Sequence, residues 1–187
     1  MLSAFCLLPF PFLLFTIYYL LFDLIFILYF RNFVIMPEII SNYIELHICC
    51  EVYGRHKYLL LKRSEKSRIY PGIWQMITGG IEVGEPTKDA VIRELNEETG
   101  ITSGKLYVVP RINTFYLAPV DKVCMCPVFL AMVNDTEVKI SDEHSEYKWL
   151  DFDDAKELVH WPNQVDSMEI IEKYLLDEDL FSKLVEL

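Results

Sequence analysis

Residues 79–101 read GGIEVGEPTKDAVIRELNEETGI. Pro86 suits a first helical turn, where its missing N–H costs nothing. Gly100 stands where a helix would stop in a left-handed cap. The spacing therefore predicts a helix over 86–99, preceded by a glycine-rich loop. Glu94, Glu97 and Glu98 lie at i, i+3 and i+4, so three carboxylates share one helix face. Val91, Ile92 and Leu95 centre on a neighbouring face and are expected to pack inward. Like charges at this spacing destabilise a helix by about 0.2–0.5 kcal/mol per pair. Such a row is either a solvated surface or a seat for a hard cation. Mg²⁺ and Mn²⁺ prefer oxygen ligands and bind through a few carboxylates plus substrate phosphates.

The preceding loop decides between the two. Gly79, Glu85, Arg93, Glu94, Glu97, Glu98 and Gly100 fit the spacing G-x5-E-x7-R-E-U-x-E-E-x-G-U, with Leu95 and Ile101 at the apolar positions U. No specified position departs. The stretch resembles the signature of the Nudix hydrolases. That resemblance implies an α/β/α sandwich around a mixed β-sheet over about Tyr43 to Leu176, with the signature forming loop–helix–loop. It implies that Glu94, Glu97 and Glu98 hold Mg²⁺ or Mn²⁺, or that Glu94 is instead the base that deprotonates the attacking water. Arg93 would orient Glu94 by a charge-assisted hydrogen bond. Glu85 would close the loop onto the helix and reach a second metal, and the backbone carbonyl near Thr78 or Gly79 would be a further ligand. Family members commonly add a glutamate from a late loop. Glu143 is the first candidate and Glu146 the second; a solvated loop carboxylate is the plainer alternative.

Shorter blocks resemble one branch of the family, the bacterial dihydroneopterin-triphosphate and dATP pyrophosphohydrolases. They are WQMITGGIE from Trp74, EHSEYKWL from Glu143, and Trp161-Pro162-Asn163. In that resemblance Arg63, Thr78, His144 and residues near His160 line the substrate pocket. His144 otherwise sits at the surface. Trp74 and Trp161 either stack on a base or pterin or fill the core. The implied reaction is hydrolysis of a nucleoside triphosphate, or of dihydroneopterin triphosphate, to the monophosphate and pyrophosphate. Two alternatives stand beside it. One is a nucleoside-diphosphate-linked substrate such as a dinucleoside polyphosphate or ADP-sugar. The other is a catalytically silent nucleotide-binding sensor, although such proteins usually lose signature carboxylates. Dimers are common among similar proteins.

The totals agree with a small anionic substrate. The chain has 187 residues, room for one domain with a real core. Its net charge is −11, and Asp23 and Arg31 cancel within the first 36 residues, so all the excess lies beyond Met36. An acidic domain repels a nucleic-acid backbone and excludes bulk DNA or RNA as a partner. A phosphoanhydride can still bind through a bridging cation. Five cysteines are present. Cys49–Cys50 and Cys124–Cys126 lack the spacing of a zinc site. An odd count without a framework suggests reduced thiols and a cytoplasmic location.

Residues 1–36 differ from the rest. Leu2 to Phe30 carries one charge, Asp23, and eight of the twelve phenylalanines precede Met36. Phe12 to Phe30 would span roughly 29 Å as a helix, close to a hydrocarbon core of about 30 Å. Asp23 near its middle would cost about 2.5–3.5 kcal/mol. This hydrophobic N-terminal extension is either a membrane anchor with a cytoplasmic domain after Arg31, or a stretch outside the working protein, whose start would then be Met36. An anchored enzyme would open a third option, a lipid-linked diphosphate. The expected organisation is an extension over 1–36 and a hydrolase domain over 37–187.

Elsewhere the pattern predicts a hairpin of Tyr43–Tyr53 with Lys57–Arg63. A short strand over Ile73–Thr78 follows, then strands over Lys105–Ala118 and Lys122–Val133. A loop over Asn134–Ser141 leads to a strand over Tyr147–Leu150. Helices are expected over Asp153–Val159 and Asn163–Leu176, then a short helix or frayed tail.

Overall fold

The structure, a computed structural model, describes residues 21–22 and 37–187. Strands β1 (Glu38–Ile40), β2 (Tyr43–Val52), β3 (Arg55–Arg63), β4 (Trp74–Gln75) and β5 (Ile77–Gly80) precede helix α1 (Thr87–Thr99). Then come β6 (Lys105–Leu117), β7 (Lys122–Val133), β8 (His144–Asp151), α2 (Phe152–Leu158), α3 (Pro162–Leu175), α4 (Glu178–Phe181) and β9 (Val185–Glu186). The sheet runs β4-β3-β2-β7-β6-β9, with β1 on β7, β5 on β2 and β8 on β3. It is mixed: β7 lies parallel to both β1 and β2, while β3 and β6 pair antiparallel with their neighbours.

Strand β2 shows why the sheet is covered on both faces. Its side chains alternate. Ile44, Leu46, Ile48 and Cys50 point to one face and pack with Leu59, Leu61 and Ile77 against Val91 and Leu95 of α1. Cys49 points to the other face, with Tyr58, Leu60, Met76 and Leu130, against Ala155 of α2 and Met168 and Ile171 of α3. The result is the α/β/α sandwich that the signature implied. Burying a side chain such as Leu95 is worth about 1.5–3 kcal/mol, and this contact fixes α1 on the sheet.

Several expectations need correction. Pro86 does not open the helix; it is the N-cap residue (ψ 141°), and its carbonyl accepts the N–H groups of Asp89 and Ala90. Ile92 points outward and is exposed, because the buried stripe of α1 is Ala90, Val91, Glu94, Leu95 and Glu98. Residues 73–78 do not make one strand: β4 pairs with β3, and β5 pairs with β2. Strand β8 begins at His144, three residues earlier than its apolar pattern indicates, because it runs along β3. The tail is a short helix followed by β9, which pairs with β6.

Of the hydrophobic extension only Leu21 and Phe22 are described, both helical and exposed. The anchor and alternative-start readings lie outside the described residues. Among the described residues no helix is long and apolar enough to cross a membrane.

Candidate active site

The glycine-rich loop leaves the sheet at a fixed point. Gly79 and Gly80 of β5 lie opposite Ile44 and Tyr43 of β2, and the Ile81 N–H donates to the Asn42 carbonyl at 2.9 Å. Gly79 is needed there for close approach. A Cβ at this position would stand inside van der Waals contact of the Glu94 carboxylate group. Past the loop, α1 carries the acidic row and ends at Gly100, whose φ of 70° is the left-handed cap.

Arg93 is the hub. Its Nε and Nη2 donate to the two oxygens of Glu85 at 2.8 and 2.9 Å, a bidentate fork. Nη1 donates to Glu94 Oε1 at 2.8 Å and to Glu97 Oε2 at 3.1 Å. Nη2 also reaches the Gly80 carbonyl at 2.7 Å. One guanidinium thus ties the loop, the strand end and two of the three helix carboxylates together. Arg93, with the N–H of Glu82 adding a second hydrogen bond, holds the Glu85 carboxyl down at about 2. Glu94 is shifted the other way: burial raises its pKa, Arg93 opposes that, and Glu98 adds to it by repulsion.

The third carboxylate has a different partner. Glu98 Oε2 lies 2.8 Å from His144 Nε2, and both residues are buried. His144 opens β8 opposite Arg63, at a register shift between Lys62 and Arg63. It therefore faces the helix row and is not a surface residue. Glu143, one residue earlier, is exposed. Glu146 is exposed and pairs with Lys62 at 2.7 Å. Arg63 is half-buried, and its Nε is buried with no partner among the described residues. Thr78 accepts a long hydrogen bond of 3.4 Å from Gln164 Nε2, which places its hydroxyl on the α3 side of the sheet. Trp161 packs edge-on against Tyr70 and His160, each with ring centroids 4.7 Å away. Trp74 carries Lys148 over its ring at 4.7 Å. Both tryptophans are half-buried.

Among the described residues no three histidine, cysteine or carboxylate groups already converge at ligand distance. The donor set nevertheless suits a hard divalent ion. Glu94, Glu97 and Glu98 supply oxygen only, and each has one oxygen engaged by Arg93 or His144 and a second without a donor among the described residues. Two of the three are buried like charges, which a cation would relieve.

A second polar group is not evident from the signature. On the α3 face Glu45 accepts from Asn113 Nδ2 at 2.6 Å and lies 2.8 Å from His47 Nε2. Asn113 also reaches Ser167 at 3.0 Å, and Gln164 Oε1 accepts the Met76 N–H at 3.1 Å. All of these side chains are buried. The available signal was the pair Glu45 and His47, which occupies alternate positions of a strand otherwise apolar up to Cys50.

Fold and site together define a hydrolase built on a signature helix. The NUDIX domain model matches residues 46–171. The nucleoside triphosphatase NudI of Escherichia coli is 29% identical over 122 residues, covering 61% of this chain and 84% of NudI. The solved MutT protein from Methanosarcina mazei Go1 is 31% identical with a TM-score of 0.61, over 73% of this chain and 95% of that one. The E. coli dihydroneopterin triphosphate pyrophosphohydrolase shares the fold, with a TM-score of 0.59 at 24% identity over 71% of this chain and 99% of that one. The chain belongs to the NUDIX domain family, and it is a Nudix pyrophosphohydrolase.

Proposed function

We propose that this chain hydrolyses a nucleoside triphosphate, or its pterin analogue dihydroneopterin triphosphate, to the monophosphate and pyrophosphate. The carrying observation is the carboxylate row of α1, complete and held in place by Arg93. The likeness to a nucleoside triphosphatase supports the substrate class, and the fold shared with a pterin-triphosphate enzyme keeps the pterin on the panel.

In this reading Glu94, Glu97 and Glu98 hold Mg²⁺ or Mn²⁺, with Glu143 and the Gly79 carbonyl as further ligands. A cation held by these carboxylates would supply Lewis-acid polarisation of the phosphoanhydride and charge neutralisation for the leaving pyrophosphate. Arg93 orients Glu94 through Oε1 and leaves Oε2 to bind or to accept a proton from water. Burial raises the proton affinity of Glu94, which suits the second role. Arg63, whose buried Nε has no partner among the described residues, supplies positive charge to the phosphates, and Thr78 lines the pocket. The described cysteines are free and buried, which supports a reducing, cytoplasmic setting.

The test is product analysis by ³¹P NMR with excess Mg²⁺. The panel holds dihydroneopterin triphosphate, the deoxynucleotides, ADP-ribose and a diadenosine polyphosphate. Pyrophosphate and a monophosphate from a simple triphosphate are expected. Orthophosphate as the product, or turnover of diphosphate-linked compounds alone, would remove this reading.

A further inference from the structure

We propose that His144 is a positioning residue for the metal site, fixing the Glu98 carboxylate through an Nε2–H hydrogen bond to Oε2. The inference rests on the carboxylate assignment above and names the element that completes it. Glu94 and Glu97 are both oriented from within their own helix, by Arg93. Glu98 is out of that network, and its hydrogen bond comes from β8 at 2.8 Å. A carboxylate only accepts, so the proton of this bond sits on His144 Nε2. The bond engages Oε2 and sets the plane of the carboxylate, leaving Oε1 for the cation. Partners of this kind, one shell out from a metal, orient ligands and typically change metal affinity 10–100-fold when removed.

The surroundings favour this role over simple packing. The His144 side chain is 2% exposed and that of Glu98 10%. The peptide bond that precedes it is clamped through both of its polar groups: the His144 N–H donates to the Ser141 carbonyl at 3.1 Å, and the Glu143 carbonyl accepts the Ser64 N–H at 2.8 Å. The ring is therefore held from β8 and cannot simply follow the helix. Its other nitrogen, Nδ1, is buried without a partner among the described residues. A residue kept only to fill space would be better served by an apolar ring, which has no polar atom to bury. His144 also adjoins Glu143, so one short segment would orient one helix carboxylate and carry the late one.

The experiment measures Mn²⁺ affinity of the full-length protein by electron paramagnetic resonance, without substrate. It compares wild type, His144→Phe, His144→Gln and Glu98→Gln. Phenylalanine keeps the ring volume and removes the donor; glutamine places an N–H near the Nε2 position. We expect His144→Phe to weaken Mn²⁺ binding about tenfold, and His144→Gln to recover most of that loss. The Mg²⁺ concentration for half-maximal rate should rise by the same factor. If His144→Phe binds Mn²⁺ like wild type while Glu98→Gln loses it, or if His144→Phe weakens binding and His144→Gln recovers none of the loss, the N–H of His144 does not position the carboxylate and the proposal is overturned. If Glu98→Gln also binds like wild type, the carboxylate assignment itself has failed, and the proposal goes with it.

Discussion

Arg93 donates to Glu85, Glu94, Glu97 and the Gly80 carbonyl at once, and the acid behaviour of the site follows from that. The Glu85 carboxyl, held at about 2 against an ordinary 4.5, binds its proton less readily folded than unfolded. Its contribution to stability is therefore complete above about pH 4.5 and lost as pH falls toward 2. Urea unfolding of wild type and Glu85→Gln should show a constant difference from pH 7 to 5 that shrinks below pH 4.5. A difference independent of pH would show that the fork has no such role. Glu98→Gln keeps shape and volume but halves the charge-bearing oxygens offered to a cation. Its kcat should fall by about 10² or more, with the thermal midpoint unchanged or raised, since one of two buried like charges is gone. An unchanged rate would take Glu98 out of the site. At this scale the sequence was most legible, because the signature residues that Arg93 ties together are local and rigidly spaced. What it hid were partners distant in the chain. Glu98 with His144, and Glu45 with Asn113, are 46 and 68 residues apart, and nothing in local spacing pairs them.

Helix α1 and the loop before it act as one element, and Gly79 is where they meet. The atoms that an added Cβ would strike belong to the flexible end of Glu94. The side chain can swing away at little cost to the fold, but the carboxylate then leaves its place on Arg93. Gly79→Ala should accordingly lower kcat/KM by about 10²-fold, the scale of a displacement near 1 Å, with a thermal midpoint close to wild type. Parallel losses of stability and rate would mean that the glycine serves the backbone instead. Gly100 is the opposite case. Its φ of 70° makes Gly100→Ala cost about 1–2 kcal/mol of stability, read as a lower urea midpoint with the rate at saturation preserved. The same element shows why patterning misplaced Ile92. Carboxylates are ordinarily read as solvent-facing, so the apolar face was centred without them. In the structure Glu94 and Glu98 lie on the buried edge and rotate the stripe away from Ile92. Strands β1 and β9, three and two residues long, carry no period to detect. They exist because β7 and β6 offer them edges.

The whole molecule sets a charge problem that the site answers. The chain carries −11, and a triphosphate adds more negative charge. In the proposed reading, association would depend on the cation and on the few positive groups near the carboxylate row, Arg93 and Arg63 among them. The excess lies wholly beyond Met36, in the unit Glu38–Leu187. Within that unit β2 is paired on both sides, and α1 and α3 cover the two faces of the sheet. A unit whose two cores are closed by residues from Ile44 onward should not need the preceding hydrophobic stretch to fold or to turn over a soluble substrate. We therefore expect a chain begun at Met36 to unfold at the same temperature as residues 37–187 do in the full-length protein. It should also hydrolyse the preferred triphosphate with the same kcat/KM within a factor of about two, a difference of less than 0.5 kcal/mol in transition-state stabilisation. The measurement is paired calorimetry and steady-state kinetics on the two chains, the longer one in detergent. Equal constants would confine the chemistry to residues 37–187 and leave the extension a question of location. A shortened chain that folds but is slow on soluble triphosphates, beside a full-length protein active on a lipid-linked diphosphate, would instead make the extension part of substrate capture.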